Sequence, residues 1–110
     1  MWIMLSNSFL SIVDKAVTPG CLVVRARVAG HIEAVFPDAA VSRTPGNDYL
    51  FRAEILRERV ATALAEQVRS IDYANYKGSV ADDAFHDALM DVWRAMADLQ
   101  EVSPYGRRAR

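Results

Sequence analysis

Apolar and polar residues alternate in the first half of the chain, whereas apolar residues recur at helical spacing in the second half. Alternation is typical of strands, because successive side chains point to opposite faces of a sheet. We therefore predict five strands, at residues 2–5, 9–13, 21–28, 40–44 and 49–55. The Pro45-Gly46 pair predicts a type II turn between the last two, because the second central residue of that turn needs a positive φ.

Helical spacing predicts three helices. The first covers residues 30–36 and ends before Pro37. The second covers residues 57–70, with an apolar stripe made of Leu56, Val60, Leu64, Val68 and Ile71. The third begins at a capping box formed by Ser79 and Asp82 and runs to about residue 100. Its predicted buried residues are Phe85, Ala88, Leu89, Val92, Met96 and Leu99.

The element order β-β-β-α-β-β-α-α predicts an α+β fold, a mainly antiparallel sheet of about five strands with helices packed on one face. Length and composition favour a single α+β domain over residues 1–101. Residues 102–110 contain Pro, Gly and three arginines, which predicts a disordered basic tail.

The net charge of −1 and pI near 6.1 exclude a general attraction to nucleic acid or acidic membranes. The single cysteine, Cys21, cannot form an internal disulfide and favours a reducing compartment. The apolar start lacks a basic leader, and no apolar run reaches the roughly 20 residues of a membrane span. We expect a cytoplasmic protein without a membrane partner.

No catalytic motif is present, so we expect a protein that is not an enzyme. Asp82, Asp83 and His86 could share one side of the last helix, but one histidine is too few for zinc. We expect no metal and no other cofactor. A small enzyme with a site built from scattered residues, such as Asp72, Lys77 and His86, remains an alternative.

Three arginines, Arg25, Arg27 and Arg52, are predicted to stand on the sheet face opposite the apolar one. Arginine is enriched at the energetic centres of protein interfaces, which favours a protein-binding role. A nucleic-acid-binding module using this face is the alternative, and it is not favoured. The alternation places Tyr49 and Phe51 on the other face, so a nucleic-acid base bound to the arginine face would have neither ring to stack on.

Two further segments are candidate partner-binding sites. The loop before the last helix concentrates polar and aromatic residues, Asp72, Tyr73, Asn75, Tyr76 and Lys77. Its tyrosines could recognise a partner or simply fill a gap, while Asn75 shapes the turn. The last helix carries acidic residues at four-residue spacing, Asp83, Asp87 and Asp91. They form either a docking line for a basic surface or an ordinary solvated face.

Five segments, SFLSIV, LVVRARVAGHIEAVFP, TPGNDYLFRAE, IDYANYKGSV and HDALMDVW, carry a resemblance that spans about residues 2–99. Together they resemble a family of small uncharacterised bacterial proteins, with similar sequences in prophages and mobile elements. Some small proteins from that setting are anti-CRISPR inhibitors. The resemblance implies a non-enzymatic protein-binding inhibitor that occludes a surface of a larger bacterial protein or ribonucleoprotein complex. Such a protein would act as a monomer or homodimer.

Overall fold

The computed structural model describes residues 1–101, and the predicted basic tail at residues 102–110 lies outside them. The chain forms two compact units. The first covers residues 1–72 and the second begins at Tyr73. The expectation of one domain over residues 1–101 stays a prediction. No helix within residues 1–101 is long and apolar enough to cross a membrane.

The predicted element order and the α+β class are confirmed. The strands are β1 (Trp2–Leu5), β2 (Ser8–Val13), β3 (Cys21–Ala26), β4 (Ser42–Arg43) and β5 (Phe51–Leu56). The helices are α1 (His31–Val35), α2 (Arg57–Arg69) and α3 (Asp83–Ala97), with a 3₁₀ turn at Lys77–Ser79. The five strands form one antiparallel sheet in the order β1-β2-β3-β5-β4.

The core of the first unit lies between one face of this sheet and the helices α1 and α2. Inward-facing strand residues such as Leu10 and Val24 pack with Ile32 and Phe36 of the α1 region and Val60 of α2. The short helix α1 forms as predicted, with Gly30 at positive φ before it and Pro37 after it. Because both helices contribute to one cluster, they cover the same face of the sheet.

Several local predictions are wrong. β3 ends at Ala26 rather than residue 28, and Val28 is exposed. Gly46 does not have a positive φ, so the turn in which Thr44 O accepts the Asn47 N–H is not type II. Only Gly20 and Gly30 adopt the left-handed conformation within the described chain.

The apolar stripes of the longer helices are narrower than their spacing predicts. On α2, Val60 and Ala63 are buried, whereas three predicted stripe residues are exposed, Leu56, Val68 and Ile71. On α3 only Leu89 is fully buried, and the exposed predicted core residues are Ala88, Met96 and Leu99.

The predicted capping box is also wrong. Asp82 is itself the N-cap of α3, and its carboxylate accepts the Phe85 N–H at 2.8 Å. Ser79 instead donates its hydroxyl to Tyr76 O within the preceding 3₁₀ turn. A carboxylate satisfies a free N–H at the helix start and suits the helix dipole, which explains why Asp82 takes this position.

Candidate binding site on the arginine face of the sheet

One row of residues crosses all five strands on the face opposite α1 and α2. Directly paired residues of antiparallel strands point to the same side of a sheet. The register pairs Trp2 with Ser11, Ser11 with Arg25, Arg25 with Arg52 and Arg52 with Ser42, so the row reads Trp2, Ser11, Arg25, Arg52 and Ser42. Arg27 lies two residues beyond Arg25, on the same side. Arg25, Arg27 and Arg52 form the arginine cluster.

Two guanidinium groups of this cluster donate hydrogen bonds to neutral partners. Arg25 Nη2 donates to Ser11 Oγ at 2.6 Å, and Arg27 Nη1 donates to Asp48 O at 2.8 Å. The Nε atoms of Arg25 and Arg52 are buried and have no hydrogen-bond partner. A buried donor without a partner costs about 1–3 kcal/mol, so these two Nε atoms lower the stability of the sheet at the cluster.

Tyr49 belongs to this face, and its predicted placement on the other face is wrong. The Cζ atoms of Arg25 and Arg27 lie 4.4 Å and 4.2 Å from the centre of its ring. The prediction failed because β5 begins at Phe51, so strand alternation does not extend back to Tyr49. The ring is only 3 % exposed. It therefore orients two guanidinium groups through cation–π contacts and offers little area to another ring.

No carboxylate within residues 1–101 forms an ion pair with the arginine cluster. By contrast, Arg57 and Arg59 of α2 pair with Asp14 at 3.3 Å and Asp38 at 3.1 Å. Arg25 and Arg52 also face each other directly across two strands, an arrangement of like charges that destabilises a sheet. An anionic group from a partner would relieve this repulsion.

The nearest acidic residue along this face of β5 is Glu54, which is already engaged. Its two carboxylate oxygens accept the backbone N–H groups of Val17 and Thr18 at 2.7 Å and 3.0 Å. The Thr18 side chain, which makes the largest contribution, and these two backbone hydrogen bonds lower the pKa of Glu54 below its ordinary 4.5. The charge of Glu54 thus fixes the β2–β3 loop.

Trp2 is a member of the row that the sequence analysis missed. Its side chain is 68 % exposed and meets Phe9 edge to face, with ring centres 5.9 Å apart at 83°. The first hairpin contained the signal, because pairing across the turn at residues 6–7 places Trp2 opposite Ser11. An exposed tryptophan in one row with two arginines has the composition of an interface hot spot.

Arg43 lies on the opposite side of the sheet from the cluster. Its cross-strand partner is Phe51, whereas Ser42 is the residue that faces Arg52. Arg43 is therefore not part of the arginine cluster. β4 contains only Ser42 and Arg43, and neighbouring residues of a strand point to opposite faces. Since Ser42 faces Arg52, Arg43 points to the other side of the sheet.

The loop before α3 contains Tyr73 and Tyr76 and belongs to the second unit from Tyr73 onward. Contacts among its own residues and with α3 hold it. Asn75 Oδ1 accepts the Lys77 N–H at 3.1 Å, as expected for a residue that shapes the turn. The Tyr73 and Tyr76 rings are half-buried, with centres 6.0 Å apart. Lys77 Nζ lies 3.9 Å from the centre of the Trp93 ring, a cation–π contact that the sequence did not indicate. Asp72 is exposed and ends the first unit.

Burial and the neighbouring Tyr73 raise the pKa of Tyr76 from 10.0 to about 12. A raised pKa in the folded state means that Tyr76 favours folding below pH 10 and that this contribution is lost as the pH rises toward 12. We expect the free energy of unfolding to fall less over this range in Tyr76→Phe than in wild type. Urea titrations at a series of pH values measure the difference, and parallel curves would contradict the assignment.

The acidic candidates on α3 form an exposed line. Asp83, Asp87 and Asp91 are all exposed; Asp91 pairs with Arg94 at 3.0 Å, and Asp87 lies 3.9 Å from His86 Nδ1. Nothing beyond these local pairs distinguishes the line from a solvated helix face, and its docking role stays a prediction. Within residues 1–101, no three His, Cys, Asp or Glu side chains come together as potential metal ligands.

No protein-family model, curated protein or solved structure matches this chain. The resemblance to small bacterial and prophage proteins therefore stays a prediction.

Proposed function

We propose that this chain is a non-enzymatic protein-binding protein that docks an acidic partner surface on the arginine cluster. The observation that carries the proposal is the presence of three guanidinium groups on one sheet face with which no carboxylate of residues 1–101 forms an ion pair. A partner carboxylate would pair with a preorganised, partly desolvated arginine, where charge-assisted hydrogen bonds are strongest. The exposed Trp2 in the same row adds apolar contact area.

The resemblance to prophage and mobile-element proteins supports a more specific role. In that role the chain is an inhibitor, of anti-CRISPR type, that occludes a surface of a larger bacterial protein or ribonucleoprotein complex. Surfaces that receive nucleic acid are basic, whereas the arginine cluster requires acidic groups. The proposed target is therefore an acidic surface of the complex at which a second protein docks. A chain of 110 residues needs only to bind such a surface in order to block the access of a second protein sterically.

Nucleic-acid binding is less well supported by this site. Tyr49 is buried against the arginines and offers no stacking surface, and the whole chain carries a net charge of −1. Phosphate binding by arginines alone would be strongly weakened by salt, because condensed counterions are released on binding. A gel-shift titration with single-stranded RNA and DNA tests this alternative. Binding that weakens steeply with salt and disappears in Arg25→Gln would favour it.

The proposed function is tested by affinity purification from a bacterial host, with the wild-type chain and the double variant Arg25→Gln/Arg52→Gln as baits. We expect a partner that is enriched by wild type and lost with the double variant. The binding reaction is then repeated with the purified partner by calorimetry. A hot-spot arginine contributes about 2 kcal/mol or more, which corresponds to roughly 30-fold weaker binding.

The matched control is Arg57→Gln/Arg59→Gln, which removes the same charge from arginines that already have acidic partners. This control variant should still bind the partner as tightly as the wild-type chain does. Equal loss of binding in both double variants would show that binding depends on net charge and not on the arginine cluster. Unchanged binding in Arg25→Gln/Arg52→Gln would contradict a role for the arginine cluster.

A further inference from the structure

The two edges of the sheet differ in their capacity to accept another strand. β4 forms one edge with only two residues, an exposed Arg43 and a proline soon after at Pro45. Short length, charge and proline are features that prevent further pairing. β1 forms the other edge with the apolar sequence WIML and has neither charge nor proline. An edge of this kind is predicted to pair with another chain.

The hydrogen-bond pattern identifies the backbone groups of β1 that pair with no other strand of residues 1–101. Met1 and Ile12 exchange backbone hydrogen bonds in both directions at 2.8 Å. Inter-strand bonding alternates along an antiparallel ladder, so residues 1, 3 and 5 face β2. The N–H and C=O groups of Trp2 and Met4 therefore point away from the sheet, next to the exposed side chains of Met1 and Trp2.

We infer that β1 is a self-association site, at which β1 of a second copy of this chain adds in antiparallel orientation about a two-fold axis at Ile3. This register pairs Trp2 of each copy with Met4 of the other. Each pair exchanges two hydrogen bonds, so all four outward N–H groups find acceptors. Registers that pair Trp2 or Met4 with itself satisfy only half of these groups, which is why a second copy in this register fits the edge.

Side-chain chemistry agrees with this register. The two copies of Ile3 become a close, non-hydrogen-bonded pair on the face that carries the core, where they extend its apolar surface. Trp2 packs beside Met4 of the other copy on the arginine face. No charged residue lies within β1, so the pairing brings no like charges together. The result is one continuous ten-stranded sheet.

This inference is independent of the proposed function but bears on its geometry. The Arg25 residues of the two copies would be five strand spacings apart, about 24 Å at roughly 4.8 Å per strand. A dimer would therefore present two arginine clusters on one side of a single sheet. A partner that is itself repetitive or two-fold symmetric would be bound at both clusters.

The test measures the molar mass of the full chain by size-exclusion chromatography with light scattering over a dilution series. We expect a dimer at high protein concentration that dissociates on dilution. Met4→Pro should be monomeric, because it removes an outward N–H without breaking a β1–β2 hydrogen bond. Met4→Val keeps that N–H and should remain dimeric. A wild-type chain that stays monomeric throughout the series overturns the inference.

Amide hydrogen exchange locates the interface without depending on a variant. The Trp2 and Met4 amides should be protected in the concentrated sample and exchange quickly after dilution. A dimer in which these two amides exchange quickly associates elsewhere and would overturn the inference. Should Met4→Pro lose its circular dichroism spectrum, Trp2→Lys provides a second edge variant, and an unchanged dimer fraction in that variant also counts against the proposal.

Discussion

An Arg52→Met variant is expected to be more stable than the wild-type chain and to bind its partner less tightly. Replacing Arg52 removes a like charge directly opposite Arg25 and a buried Nε that has no hydrogen-bond partner. Relief of the repulsion and of the unsatisfied donor should raise the free energy of unfolding by about 1 kcal/mol. Loss of the guanidinium should weaken partner binding by roughly 30-fold, the effect of a 2 kcal/mol hot spot.

Urea denaturation and calorimetry measure these two changes on the same protein. Opposite signs would show that Arg52 is retained for binding at the expense of stability, as is common for functional residues. Arg43→Met is the matched control, because Arg43 is exposed on the other side of the sheet and has no buried nitrogen lacking a partner. Its stability should change by less than about 0.5 kcal/mol. Destabilisation by Arg52→Met would indicate a structural role instead.

Phe36→Ala is expected to cause the largest loss of stability of any substitution considered for this chain. Phe36 is 1 % exposed and is among the largest fully buried side chains in residues 1–101. It lies directly after α1 and packs in the cluster that joins this helix to the sheet. Removing a buried phenylalanine ring costs about 3–5 kcal/mol, from lost burial and from the cavity that remains.

A loss of this size is a large part of the 5–15 kcal/mol that typically stabilises a native domain. Thermal and urea unfolding followed by circular dichroism measure it. Leu56→Ala provides the control, since Leu56 is apolar but exposed, and its unfolding free energy should change little. A Phe36→Ala variant as stable as Leu56→Ala would show that the α1 region contributes little to the core.

Local patterns were sufficient to predict the elements of the first unit. Alternation in β5 follows from one buried and one polar face, so the sequence carries that information directly. Pro37 and Gly30 bounded α1 correctly for the same local reasons. The helix stripes were predicted less well, because periodicity identifies an apolar side without showing how much of it another element covers. Val68 and Met96 illustrate this difference.

The candidate site was predicted in part. Arg25, Arg27 and Arg52 were placed on one face correctly, since all three lie within or directly after regular strands. Tyr49 and Trp2 were missed, because their positions depend on where β5 begins and on which residue of β2 lies opposite Trp2. Those are questions of register, which a single strand does not encode.

The α+β class, the element order and the charge pattern of the sheet arginines follow from the amino-acid sequence, because each depends on residues that are near neighbours in the chain. The three-dimensional fold was needed to establish that Arg25 faces Arg52, that Tyr49 packs against two arginines and that β1 is an edge strand of the sheet within residues 1–101. These contacts join residues 22 or more positions apart in the chain or depend on strand order. Pairing across such distances is fixed by the fit of whole elements, through register and burial, rather than by local preference.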